Sequence, residues 1–189
     1  STQAKILSEE LIACGHKILL TREPGGSDGA EEIRNLLLTG NTDRWSAETE
    51  ILLFTAARRD HLERTILPAL ENGLAVICDR FSDSTRVYQG VTRGDLRAIV
   101  DQLDSAMIPR QPDITVLIDL DPNISLARAI ERSNNEARFE DFGVEMQIKL
   151  RKGFLTLAHE FPNRFMVIDG SRNESEVAEN ISKRLHEIG

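Results

Sequence analysis

Leu74-Ala75-Val76-Ile77-Cys78-Asp79-Arg80-Phe81 is the stretch that decides the fold. Five apolar residues follow Gly73 and end in a charged pair. The run is too short for a helix and does not alternate, so it predicts a strand covered on both faces. Ile114–Leu120 (ITVLIDL) reads the same way, and Lys17–Thr21 (KILLT) and 165–168 (FMVI) read as two further strands. Between them the apolar period becomes helical. Ile6, Leu7, Leu11 and Ile12 stripe residues 3–14, closed by Gly15, and Ile33, Leu36 and Leu37 stripe 28–39, ended by Gly40. One long helix is predicted over 46–71, with Ser46 as its N-cap and Gly73 past its end. Further helices are predicted at 95–107, 123–132, 144–160 and 174–187. Strands alternating with helices give an α/β fold with a parallel β-sheet, flanked on both faces by helices through right-handed crossovers.

The 189 residues suit a single domain, 1–189, with a sizeable core. The net charge is −8, which argues against a surface that coats nucleic acid or anionic lipid. Clustered arginines can still hold a small phosphorylated ligand. Cys14 and Cys78 are too few for a disulfide scaffold and read as reduced core thiols of a cytoplasmic protein. No apolar run reaches membrane-spanning length, and the opening residues carry no signal-peptide pattern. His16, His61, His159 and His186 make no metal-binding spacing and read as surface or core residues. No GxSxG nucleophile is present.

In α/β sheets ligands bind beyond the carboxyl ends of the strands, so the segments after each strand are where chemistry belongs. Asp79-Arg80 is such a segment. The aspartate suits a metal or its water shell and the arginine a phosphate; the plainer reading is an ion pair at the sheet edge. Residues 82–90 (SDSTRVYQG) are polar and hold the chain's one tyrosine. Phe54 and Arg58 share a helix face and could serve a base and its phosphate, although a phenylalanine there is more often core. Thr21-Arg22-Glu23-Pro24-Gly25-Gly26 matches neither GxGxxG nor GxxxxGK[ST] and reads as a tight turn that permits close backbone approach. Arg128, Arg132 and Arg138 lie in a polar segment that could close over a polyphosphate or remain a solvated loop.

TREPGG at 21–26, FTAAR at 54–58, DRFSDSTRVYQG at 79–90, RG at 93–94, PDITVLIDLD at 112–121 and ARFED at 137–141 together resemble the bacterial thymidylate kinases, of the P-loop nucleoside monophosphate kinase group. The resemblance runs from Ser1 to the last helix. It implies a P-loop NTPase-like fold: five parallel strands, of which four are visible here, ringed by helices, with a LID at about 132–143. It implies ATP-dependent phosphorylation of dTMP to dTDP, assisted by Mg²⁺, in dTTP synthesis, by a cytoplasmic homodimer.

Roles follow by resemblance. Phe54 stacks on thymine, and Arg58 and Arg80 hold the monophosphate. Ser84, Thr85 and Gln89 contact base or sugar. Tyr88 fills the space of a ribose 2′-hydroxyl, and Glu23 and Pro24 lie beside the acceptor. Ser1 matches the hydroxyl residue of the phosphate loop, so Ser1 and Asp79 serve Mg²⁺, and Ser1 and Thr2 lie against the ATP phosphates. Arg128 faces adenine, and Asp169 and Gly170 form its rim. Arg138 and Arg132 are the LID arginines that, with Arg80, act on the transferred phosphate. In related chemistry an arginine of that kind is worth about 10³–10⁵ in rate.

A sheet protein that opens on a bare helix is expected to have further residues upstream, here the family's central strand and its GxxxxGK[ST] loop. Two other readings stand beside this one. Another monophosphate kinase would use the same arginines, and an inactive nucleotide-binding remnant is expected if the protein truly starts at Ser1.

Overall fold

The computed structural model describes residues 1–41, 44–91, 94–124 and 143–187. Helix α1 (Thr2–Ala13) leads to β1 (Ile18–Arg22), α2 (Asp28–Leu38) and α3 (Ala47–His61). A π-helical turn, Leu62–Ile66, and a short α4 (Leu67–Glu71) continue α3. The predicted helix 46–71 is therefore helical along its length but changes hydrogen-bond period just after His61. Pro68, in the first turn of α4, explains the change. It has no N–H to offer, and its ring crowds the carbonyl four residues back, so the ladder widens. Then come β2 (Ala75–Asp79), α5 (Ser82–Tyr88), α6 (Arg97–Met107), β3 (Thr115–Asp119), α7 (Val144–Glu160), β4 (Phe165–Asp169) and α8 (Glu174–His186).

All four predicted strands form, and all pairing is parallel. They make two pairs instead of one ladder. In the first, Ile18 stands opposite Ala75 through to Arg22 opposite Asp79. In the second, Thr115 stands opposite Phe165 through to Asp119 opposite Asp169. Among the described residues no backbone ladder joins the pairs. This corrects the expectation that 74–78 and 114–120 are enclosed on both faces. Val76 and Ile77 are only half-buried, and Ile118 is 40% exposed. An edge without a neighbouring strand leaves its side chains less covered.

The core lies where helices cover the strands. Val87 of α5 packs with Leu150 and Leu157 of α7 and Phe165 of β4. The helices close tightly here because residue 153 is glycine: a Cβ there would stand 2.9 Å from Val87 Cγ1. Met166 and Ile168 of β4 pack with Val177 and Ile181 of α8, with Leu7 of α1 against them. Leu62, Ile66 and Ile108 make a third cluster beneath Val76 and Phe81. Each fully buried Leu or Ile contributes about 1.5–3 kcal/mol. The cysteines are both free, but only Cys78 is partly buried. Cys14 is exposed, contrary to expectation, because it follows the last turn of α1 and lies off the stripe that faces the sheet.

Ser46 caps α3 as its spacing predicts, its hydroxyl accepting from the Thr49 N–H at 3.1 Å. That helix carries Phe54, Arg58 and His61. Ser46→Ala is expected to lower stability by about 1 kcal/mol, read as a shift in the urea midpoint with an unchanged slope.

Candidate active site

The parallel register brings the carboxyl ends of β1 and β2 together. One further backbone bond, from Glu23 N–H to the Asp79 carbonyl at 3.0 Å, carries the pairing past the ladder. Residues 21–26 and 79–81 thus leave the sheet side by side. The turn 23–26 begins with a cis Glu23-Pro24 peptide. It is anchored at Gly26, whose N–H donates to Glu31 Oε1 (3.0 Å) and whose carbonyl accepts from Thr65 Oγ1 (2.8 Å). Gly26 has φ +90°, and a Cβ there would lie 2.3 Å from His61 Nε2. Residue 26 must be glycine because the backbone passes over a histidine.

Glu23 is 5% exposed and Arg58 3% exposed. Arg58 Nε donates to Glu23 Oε2 at 2.7 Å, and its Nη2 donates to Thr85 Oγ1 at 3.0 Å. The guanidinium also lies over Phe81, 5.3 Å from the ring centre. His61, with no exposed surface, stands behind. Its Nδ1 is 3.2 Å from Glu23 Oε1 and its Nε2 is 2.8 Å from Thr21 Oγ1. Burying an arginine and a glutamate is tolerable only when the two are paired and further bonded. Both conditions are met here.

Beyond β2, the Ser1 hydroxyl donates to Asp79 Oδ2 at 2.5 Å. Two residues predicted to serve one metal ion therefore meet, although 78 positions separate them. Burial pushes the Asp79 carboxyl up, whereas the Ser1 hydroxyl bond and the Arg80 charge pull it down. Thr2 follows as the exposed first residue of α1. Arg80 adopts φ +70°, uncommon for a residue with a side chain. Its carbonyl accepts from the Cys78 thiol at 3.1 Å, and its guanidinium lies 5.3 Å from the Tyr88 ring centre. Burial, then the Glu23 charge, push that thiol up, so it stays a hydrogen-bond donor.

The segment 82–90 divides by face. Ser84 and Tyr88 are half-buried, and Tyr88 sets its ring edge-on to Phe154 at 6.2 Å. Thr85 and Gln89 are buried; Thr85 holds Arg58, and Gln89 donates to the buried Glu50 at 3.4 Å. Asp83 and Arg86 turn away from the site into a lattice with Asp101, Asp104 and Arg164. Phe54 is half-buried instead of core. On the second strand pair, Asp169 is exposed, and its carboxylate accepts from the Ser171 N–H at 2.9 Å. Gly170 is buried where a Cβ would meet Ile118 Cγ2 at 2.7 Å. Arg128, Arg132 and Arg138 lie outside the described residues, with most of the segment 132–143.

The sequence reading passed over His61. A signal was present: Glu50, Phe54, Arg58 and His61 are spaced four, four and three apart, so α3 turns all of them to one face. A helix face carrying three ionisable groups and an aromatic ring is unusual cover for a core.

The family model for thymidylate kinase matches residues 1–181. The chain belongs to the thymidylate kinase family. It is 63% identical over 183 residues to a thymidylate kinase of Ruegeria pomeroyi, covering 97% of this chain and 87% of that one. It is 45% identical over 183 residues to a thymidylate kinase of Caulobacter vibrioides, covering 96% and 88%. Among solved structures it resembles thymidylate kinase from Ehrlichia chaffeensis, with a TM-score of 0.77 and 34% identity over 98% of this chain and 90% of that chain. The family's α/β, P-loop NTPase-like architecture is thus this chain's. No helix among the described residues is long and apolar enough to cross a membrane.

Proposed function

We propose that this phosphotransferase converts dTMP to dTDP through an acceptor site built from Phe54, Arg58, Arg80 and Tyr88 at the carboxyl ends of β1 and β2. The alternatives, another monophosphate kinase or an inactive remnant, are not favoured by the relatives reported above, each of which is named a thymidylate kinase. The observation that carries the site reading is the setting of Arg58. A buried arginine held through Nε and Nη2 has Nη1 left as its direction of donation, and a charged N–H held in one direction suits a phosphate oxygen. Arg80, at the end of the neighbouring strand, supplies the second cation. Phe54 offers its half-buried ring to a base. Tyr88, fixed by Phe154, limits the room at the sugar and favours deoxyribose. Glu23 and Pro24 wall the acceptor, with Ser84 beside it and Thr85 and Gln89 behind.

Phosphoryl transfer needs two anions aligned and their developing charge neutralised, with no protein nucleophile. The acceptor arginines hold one anion. ATP is the phosphoryl donor in this reading, placed against Ser1 and Thr2 at the start of α1, where helix N–H groups favour phosphate. Asp169 and Gly170 form its adenine rim, and Arg128, Arg132 and Arg138 act from the LID. A hydroxyl and a carboxylate are hard oxygen donors, so Ser1 and Asp79 fit Mg²⁺. When bound, the ion neutralises phosphate charge. A homodimer is proposed across α2, α3 and α6, which are neighbours and expose Leu36, Leu52 and Ile99. The residues 1–189 belong to one cytoplasmic kinase domain.

The test is ADP release from ATP and Mg²⁺ with dTMP, AMP, GMP or CMP as acceptor, on kinase carrying the phosphate loop. dTMP is expected to be the preferred acceptor by at least about 10²-fold, the scale on which sites with placed polar groups discriminate. Turnover of AMP with none of dTMP overturns the assignment.

A further inference from the structure

We propose that His61 is the positioning residue of the acceptor site: from beneath the turn it fixes the Glu23 carboxylate, and through it aims Arg58 at the phosphate of dTMP. This rests on the acceptor-site reading above.

The argument is one of donors and acceptors. Glu23 ionised can only accept, so His61 Nδ1, 3.2 Å from Oε1, carries a hydrogen toward it. In the neutral ring Nε2 then accepts, and Thr21 Oγ1 at 2.8 Å is its donor. Arg58 Nε takes the other carboxylate oxygen. The result is a buried chain, Thr21–His61–Glu23–Arg58–Thr85, that crosses from β1 through α3 to α5 and has one direction of donation at each link. Three features hold the imidazole in place. Gly26 passes so close that no side chain fits there. The π-turn begins at the next residue and delivers Thr65 to the Gly26 carbonyl. The ring itself has no exposed surface. An imidazole so confined cannot follow a moving carboxylate; the carboxylate must adopt the orientation that the imidazole sets.

A metal reading of the same group is weaker. Glu23, His61 and Cys78 place ligand atoms within 4.8 Å of one another. Both carboxylate oxygens and both ring nitrogens are already engaged, and the thiol donates to the Arg80 carbonyl.

The experiment compares dTMP with thymidine, which lacks the phosphate, by calorimetric titration of the wild type, His61→Gln and His61→Asn. Glutamine reaches the position of Nε2 and abandons Glu23; asparagine places an amide nitrogen at the position of Nδ1 and keeps it. The wild type is expected to bind dTMP more tightly than thymidine. His61→Gln loses about 10–100-fold for dTMP, the worth of a hydrogen bond to a charged group, and stays within about twofold for thymidine. His61→Asn recovers most of the loss. A merely structural histidine would lower both affinities alike, or neither. If His61→Gln does not fold, Thr21→Val reads the same ratio by freeing Nε2, and a ratio equal to wild type counts against the proposal. Wild type that binds both ligands equally overturns the acceptor-site reading and this inference with it. Discrimination that survives in His61→Gln or Thr21→Val overturns the inference alone.

Discussion

Arg80→Ala is expected to lower kcat/KM for dTMP by about 10²–10³-fold, the usual loss when one group that neutralises developing charge is removed. Stability should barely move. Arg80 is exposed, so truncating it leaves no buried charge stranded. This separates it from Arg58, where truncation would leave Glu23 buried without its guanidinium and confuse folding with catalysis. The backbone sharpens the test. At φ +70° a residue with a Cβ costs roughly 1–2 kcal/mol relative to the ordinary right-handed regions, and glycine avoids that cost. Arg80→Gly should therefore be at least as stable as Arg80→Ala and equally inactive. An evolved arginine at a position that would suit glycine means that stability has been given up for the guanidinium. Arg80→Lys keeps the charge but not the planar fork, so partial recovery is expected. Full activity in Arg80→Ala at unchanged dTMP affinity would remove Arg80 from the acceptor site.

What could be read in advance follows from the range of the interactions. Helix α7 (Val144–Glu160) was predicted to the residue, and Ser46, Gly15, Gly40 and Gly73 marked helix ends, because caps and periods are local. The strands were found by their apolar runs, with ends that agree to within one residue. Their division into two pairs was not legible, since apolar composition does not say how many neighbours a strand has. The meeting of Ser1 with Asp79 was available only through family resemblance, because nothing in a single sequence links positions that far apart. The segment 79–90 shows the limit best. It reads as one polar block, yet Arg80, Ser84 and Tyr88 look toward the site while Asp83, Thr85, Arg86 and Gln89 turn inward. A short helix puts residues four apart on one face and those between them on the other, and which face is inside depends on Asp104 and Arg164, residues from distant segments. His61 was missed for a related reason: a histidine is judged by its neighbours in space, and only its spacing from Arg58 was visible in the chain.

Those inward residues carry the second large effect. Asp83→Ala is expected to cost about 3–5 kcal/mol, a large part of the 5–15 kcal/mol that holds a typical domain folded. Asp83 is 5% exposed and accepts from Arg86 Nη1 at 3.0 Å and from Arg164 at 2.5 and 2.9 Å. Its removal leaves two guanidinium groups short of an acceptor, one of them on the largely buried Arg86. Asp101→Ala is the control. It meets the same Arg86 at 2.8 Å, but its side chain is 41% exposed, so water replaces it and the cost stays below about 1 kcal/mol. The acid limb of the stability curve tests the cause. Burial pushes the Asp83 carboxyl up, but Arg164 and then Arg86 hold it below the usual aspartate value. A carboxyl lowered in the folded state binds its proton more readily when unfolded. Its contribution is therefore complete above the unfolded aspartate value and is lost as pH falls through the lowered one. In urea melts taken from neutral pH downward, wild type should lose stability across that acid window. Asp83→Ala, already lacking the contribution, should lose less, so the two curves converge toward low pH. Parallel curves would mean that the loss is one of packing and that the charge of Asp83 contributes little to fastening α5 to β3 and β4.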